Sequence, residues 1–294
     1  MGRAARASSP ERFRCAAPDR AVGPDAHGAC RFAVQVRFRP AVSQILVIDV
    51  GNSRLKWAMR GPGGWTAKGA VANQDIASLA LRDWQNVERP ARAVGVNVAG
   101  EAARVRVEGQ LARWRLAVEW LSAGTQAGGV TNRYRIPSQL GADRWASLVA
   151  ARRRAVAAHE AAPRACIVVN VGTAVTIDAL DAQGVFQGGL ILPGVRLMLR
   201  ALADNTAALR TAPGAFQDFP TTTPDALYSG AVQAVSGAVE QMRQRLRGGG
   251  EELTCYLAGG GAPDIAPRLA APVEVVDNLV LEGVLVLALL PRAE

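Results

Sequence analysis

Lysine is nearly absent from this chain of 294 residues: of 34 basic residues only Lys56 and Lys68 are lysine, and arginine carries the remaining positive charge. Against that background a lysine reads as chosen, because an ammonium is a compact point charge that can follow a moving phosphate, whereas guanidinium is a planar fork. Histidine is equally scarce, with only His27 and His159, and the cysteines Cys15, Cys30, Cys166 and Cys255 lie far apart without a C-x-x-C pair. That argues against a zinc site. Cys166 and Cys255 fall in or beside apolar strand-like runs and read as small core residues, a usage that fits a reducing cytoplasm.

Long hydrophobic runs are missing too, and none approaches the roughly eighteen residues needed to span a bilayer. The longest, 279–290, contains Glu282 and reads as a buried helix. With 49% hydrophobic and 20% charged residues the composition is that of a soluble globular protein, and no membrane partner is expected. The formal charge of +9 is unevenly spread: residues 1–43 hold eight arginines against three acids, which contributes +5 and leaves +4 for the rest.

That first segment is rich in Ala, Pro, Gly and Ser and has no sustained period before Phe32, so it reads as a disordered basic extension or as upstream sequence annexed by a wrongly assigned start. Glu11, Asp19 and Asp25 dilute an organelle-targeting pattern, and no apolar core of a secretion signal is present. With few aromatics to stack on bases, any nucleic-acid binding by this arm would be backbone-only and salt-sensitive. Nucleic acid is not an expected partner.

From residue 44 the pattern predicts strands over 44–49, 55–60 and 66–72, turning at Gly61-Pro62-Gly63-Gly64, then a helix over 75–84, a strand over 92–98, a helix over 101–114 and a strand over 117–121. The second part repeats this order. Strands are expected over 166–170, 174–180 and 184–190, helices over 195–209 and 225–246, a strand over 253–258, a helix after Gly261, and a closing strand and helix from Val273. The repetition predicts an α/β protein with mixed sheets and an internal duplication. Between the halves, Gly141-Ala142-Asp143-Arg144-Trp145 opens an alanine-rich helix, on which Arg152-Arg153-Arg154 reads as a solvated face.

The most informative stretch is Asp49-Val50-Gly51-Asn52-Ser53-Arg54-Leu55-Lys56, directly after the apolar run Ile45-Leu46-Val47-Ile48; Asn170-Val171-Gly172-Thr173-Ala174 is a relative of it after Ile167-Val168-Val169. A buried strand that ends in a carboxylate or amide, then glycine, then small hydroxyl or amide residues, suits a tight turn whose N–H groups face an anion. Two such turns in repeated halves, with Gly259-Gly260-Gly261 after a late strand, outline the actin-like nucleotide site of sugar kinases, Hsp70 and actin. Asp143, in the first turn of its helix, serves either as a favourable partner of the helix dipole or as an acid–base group, with Gly141 and Ala142 leaving room beside it.

Over residues 44–290 these motifs, together with Gly172-Thr173-Ala174-x-Thr176-x-Asp178 and Gly188-Gly189-x-Ile191-x-Pro193-Gly194, resemble the type III pantothenate kinases, also known as the Bvg accessory factor family. The resemblance implies an actin-like ATPase (ASKHA) fold of two duplicated ribonuclease H-like domains, 44–162 and 163–294. It implies ATP-dependent phosphorylation of pantothenate to 4′-phosphopantothenate, the first step of coenzyme A biosynthesis, by a cytoplasmic homodimer using Mg2+ and a monovalent cation, K+ or NH4+. Carried over by position, Asp49, Val50, Gly51, Asn52, Ser53, Arg54, Leu55, Lys56 and Thr173 bind ATP, with Asp49 near the magnesium ion. Asp143 is the proton acceptor, and Tyr134, Gly141, Ala142, Asp143, Arg144 and Thr223 contact pantothenate. Asn170 departs from the family, which commonly has Asp there as a monovalent-cation residue; Asn keeps an oxygen ligand but loses its charge, so altered cation dependence is expected. Two rivals remain open: an actin-like kinase for another small hydroxylated substrate, and an ATP-binding regulatory protein without kinase activity.

Overall fold

The computed structural model describes residues 44–158, 162–206, 209, 212–247 and 253–291. The expectations for segment 1–43, and those for Cys15, Cys30, His27 and His159, lie outside the described residues. Strand β1 (Ile45–Val50) pairs antiparallel with β2 (Arg54–Gly61), which pairs antiparallel with β3 (Gly64–Ala72). On its other edge β1 takes β4 (Arg92–Asn97) in parallel, followed by β5 (Val118–Trp120), for the order β3-β2-β1-β4-β5.

A short hairpin of β6 (Gln126–Ala127) and β7 (Val130–Asn132) comes next, and then the plan repeats. β8 (Cys166–Val171), β9 (Ala174–Leu180) and β10 (Val185–Pro193) form the antiparallel meander, while β11 (Thr254–Ala258) and β12 (Val273–Val275) add in parallel beyond β8. The order β10-β9-β8-β11-β12, with the same sense at every pairing, is the first sheet over again. β7 pairs parallel with β10, so the hairpin, although it precedes residue 163, extends the second sheet to seven strands.

The helices are α1 (Glu101–Leu111), α2 (Ala142–Ala158), α3 (Val195–Asn205), α4 (Thr223–Leu246), α5 (Ala262–Ile265) and α6 (Leu279–Leu289). Period-two alternation gives each central strand two buried faces. Leu46, Ile48 and Val50 of β1 pack with Val107 and Leu111 of α1, whereas Ile45 and Val47 pack with Ala146 of α2 and Leu281 and Val284 of α6. In β8, Cys166 and Val168 meet Leu148 and Val149 of α2, and Ile167 and Val169 meet Val232 and Val235 of α4. The α2–α6 pair is therefore a layer shared by both sheets. Gly283 permits it, since a Cβ there would stand 1.8 Å from the Ala146 carbonyl oxygen.

Cys166 and Cys255 are buried core residues, as their apolar context predicts. No helix among the described residues is long and apolar enough to cross a membrane. Glu282, the charge inside the apolar α6, is paired at 2.7 Å with Arg154. That corrects the reading of Arg152-Arg153-Arg154 as a solvated face: Arg154 also holds Glu274, and Arg152 donates to the Ala182 carbonyl at 2.8 Å. The expected helix over 75–84 is instead a 3-10 turn, Asn73–Ser78, followed by turns. Main-chain groups that a helix would use internally are taken by side chains of the packed neighbour, the Ala80 N–H by Gln110 and the Trp84 carbonyl by Arg113.

Candidate active site

Alternation along β1 places Asp49 with Ile45 and Val47 on the face covered by α2 and α6. Ala146 packs on that face, and Asp143 precedes it by three residues in the first turn of α2, so two carboxylates distant in sequence come close enough for the charge of Asp143 to act on Asp49. Lys56 stands directly opposite Asp49 in the β1–β2 register. Burial pushes the Asp49 carboxyl up to about 7; the Lys56 ammonium works against that rise and Asp143 adds to it. Burial also raises the Asp143 carboxyl, opposed by the Arg144 main-chain N–H that donates to its Oδ1 at 2.8 Å. A Cβ at Gly141 would lie 2.6 Å from that oxygen, so the glycine makes space for the carboxylate itself.

The two glycine turns meet. Ser53 Oγ and Thr173 Oγ1 are hydrogen-bonded at 2.7 Å across 120 residues of sequence. Val50 and Leu55 bury their side chains in the core, leaving only main chain for a ligand, whereas Asn52, Ser53 and Arg54 are exposed. The second turn is held from behind by glycines: Gly194 N–H donates to the Thr173 carbonyl at 2.8 Å and Gly261 N–H to the Val171 carbonyl at 3.0 Å. Cβ atoms at Gly194 and Gly259 would stand 2.2 Å from the Gly172 oxygen and 2.3 Å from the Val171 oxygen, so both glycine motifs of the sequence brace this turn.

Arg144 turns inward. Its Nε lies 3.2 Å from both oxygens of Asp178 on β9, a carboxylate with no solvent exposure, and its Nη1 donates to the Tyr134 hydroxyl at 3.0 Å. Burial lifts the Asp178 carboxyl to about 6 in spite of the guanidinium. Tyr134 is tilted against Phe186, 5.5 Å between ring centroids, and a Cβ at Gly189 would overlap Asp178 at 2.0 Å. Arg144, Tyr134, Gly141, Ala142 and Asp143 thus form one connected group at the start of α2.

Asn170 occupies on β8 the place that Asp49 has on β1, and it also faces α2. Its Nδ2 donates to Ser147 Oγ at 3.0 Å, and Ser147 Oγ donates to the Asp143 carbonyl at 2.9 Å. Thr223 is not brought to this group by any described contact: it is an exposed residue at the start of α4, where Thr222 and Asp225 form the cap. Residue patterns missed Ser147, whose place follows only from helix packing. They also passed over Asp178 as a charge partner, although a carboxylate inside the apolar run Val175-Thr176-Ile177-Asp178-Ala179-Leu180 signals a buried pair.

The family model for type III pantothenate kinase matches residues 45–245. Type III pantothenate kinases of Acidovorax ebreus (strain TPSY) and Polaromonas sp. (strain JS666 / ATCC BAA-500) are 46% and 43% identical over 248 residues, covering 83% of this chain and 95% and 96% of theirs. Among solved structures, a Campylobacter jejuni protein described as a Baf family transcriptional activator superposes with a TM-score of 0.52 at 17% identity, covering 81% of this chain and 94% of that one. A Sinorhizobium meliloti protein described as a 2-dehydro-3-deoxygalactonokinase gives 0.51 at 14% identity, covering 83% and 98%. These likenesses, with the repeated mixed sheets, establish the actin-like ATPase fold. The chain belongs to the type III pantothenate kinase family.

Proposed function

We propose that this protein transfers the γ-phosphoryl group of ATP to the primary hydroxyl of pantothenate, opening coenzyme A biosynthesis. The observation that carries the reading is the convergence of the two glycine turns, joined through Ser53 and Thr173, with Asp49, Lys56 and Asp143 on the adjoining strand and helix face. Phosphoryl transfer asks a protein mainly to position groups and neutralise moving charge. Main-chain N–H groups of the turn at Asn52 and Ser53, with the side chains of Ser53, Lys56 and Thr173, hold the phosphates. Asp143 orients the hydroxyl and accepts its proton as the new O–P bond forms; the bond from Pγ to the bridging oxygen breaks, and its electron pair leaves with ADP. A carboxyl held above the usual range by burial is suited to that late proton transfer.

Asp49 fits a divalent cation: it is a hard oxygen donor, buried, and disfavoured as a bare anion beside Asp143, so a cation's charge relieves the cost of ionising it. Mg2+ bound there neutralises charge on the phosphate oxygens. Gly141, Ala142 and Tyr134 contact pantothenate, and Arg144 serves through the Tyr134 hydroxyl that it holds. Thr223 is a contact supported by family resemblance alone. Residues 44–162 and 163–294 are the two ribonuclease H-like domains, the first lending β6 and β7 to the second sheet. The enzyme works in the cytoplasm as a homodimer.

ADP release is measured with ATP, Mg2+ and pantothenate, beside Asp143→Ala. Pantothenate-dependent turnover falling by about 100-fold or more in the variant is the expected result. Turnover surviving in Asp143→Ala removes that residue as base, and a folded, ATP-binding protein without turnover moves the reading to a regulator. For the monovalent cation, Asn170 offers Oδ1, since its Nδ2 is given to Ser147. Asn170→Asp strengthens K+ or NH4+ stimulation; equal indifference of both proteins to the cation places the site elsewhere.

A further inference from the structure

We propose that Asn73, which follows β3 directly, aims the first phosphate turn: it is a positioning residue that touches no substrate and acts by taking every carbonyl of that turn. Its Nδ2 donates to the Gly51 and Asn52 oxygens, both at 2.8 Å, and its main-chain N–H donates to the Ser53 oxygen at 3.1 Å. In a trans peptide the carbonyl and the following N–H point in opposite directions. With the Gly51 and Asn52 carbonyls turned onto Asn73, the N–H groups of Asn52 and Ser53 point to the other side of the turn, where an anion can use them. The second turn is built on the same division of labour, but there the main-chain N–H groups of Gly194 and Gly261 hold the carbonyls of Thr173 and Val171.

Side-chain chemistry explains why asparagine stands there. An amide NH2 serves two carbonyls at once, a hydroxyl serves one, and a carboxylate serves none. The cost is visible in the same residue, because Asn73 Oδ1 is buried without a hydrogen-bond partner. The inference rests on the reading of 49–56 as the ATP site.

The test uses the full chain and compares wild type with Asn73→Asp, an isostere without the donor, and Asn73→Ser, which keeps one. Ser78→Ala, in the same 3-10 turn but away from the carbonyls, controls for local loosening. ATP affinity by calorimetry and the KM for ATP are expected to weaken about tenfold or more in N73D and by less in N73S. The KM for pantothenate and the Ser78→Ala values stay at wild type. Unchanged ATP affinity in folded N73D overturns the proposal; where N73D does not fold, unchanged affinity in N73S does so. A wild-type protein that binds no ATP overturns the nucleotide reading itself, which separates that failure from a failure of Asn73.

Discussion

At the scale of single residues the site is organised by burial of charge more than by its number. Asp49 ionises near 7 because water is excluded around it, and Lys56 offsets only part of that. Its carboxyl is near 3.8 when the chain is unfolded and about 7 when folded, so the folded state binds the extra proton between those values. The stability tied to it is complete below about pH 4 and is lost as pH rises through 7. Asp49→Asn has no charge to bury. Its unfolding free energy therefore matches wild type near pH 3 and exceeds it at pH 8 by something on the order of 4 kcal/mol. Urea denaturation at the two pH values checks this, and a gap that does not change with pH would mean the carboxyl is solvated. The same substitution is expected to lower turnover about 100-fold or more, because on the proposed reading it removes the anionic oxygen that would hold Mg2+.

At the scale of elements, α2 does the most. One side of it covers β1, the other covers β8, and its first turn carries Asp143 between them. Its distance from α6 is set by Gly283. Gly283→Ala is expected to destabilise by about 1–3 kcal/mol or more through overpacking. Gly237→Ala, in α4 with open space around the new Cβ, is expected to stabilise by roughly 0.5–1 kcal/mol. Urea midpoints of the two variants separate close packing from helix propensity, and equal shifts would remove the special role of Gly283. Among elements, 75–84 shows where pattern misleads: buried Ile76, Leu79 and Trp84 mimic helical spacing, while Gln110 and Arg113 capture the backbone. The β6–β7 hairpin left a signal in Gly128-Gly129, both at positive φ, but strands of two and three residues carry too little periodicity to stand out.

At the scale of the whole molecule, one nucleotide bound between turns that belong to different sheets stabilises both together. ATP at about 100 times its Kd should add about 2.7 kcal/mol to unfolding and raise Tm by roughly 5–10 °C. Ser53→Ala with Thr173→Ala reduces that shift, and a shift that survives intact would place the nucleotide away from the hydroxyl pair. The sequence by itself determined the two turns, the repeated order of strands, the placement of Asp143 in the first turn of its helix and the family, because these depend on residues near one another along the chain. Only the tertiary structure decided that the charge of Asp143 acts on Asp49, that Ser53 meets Thr173, that Arg144 is spent on Asp178 and Tyr134, and that Asn73 holds three carbonyls of the first turn. Each joins elements far apart in sequence, and such contacts depend on which faces of α2 and the strands are buried together, a choice that local periodicity does not encode.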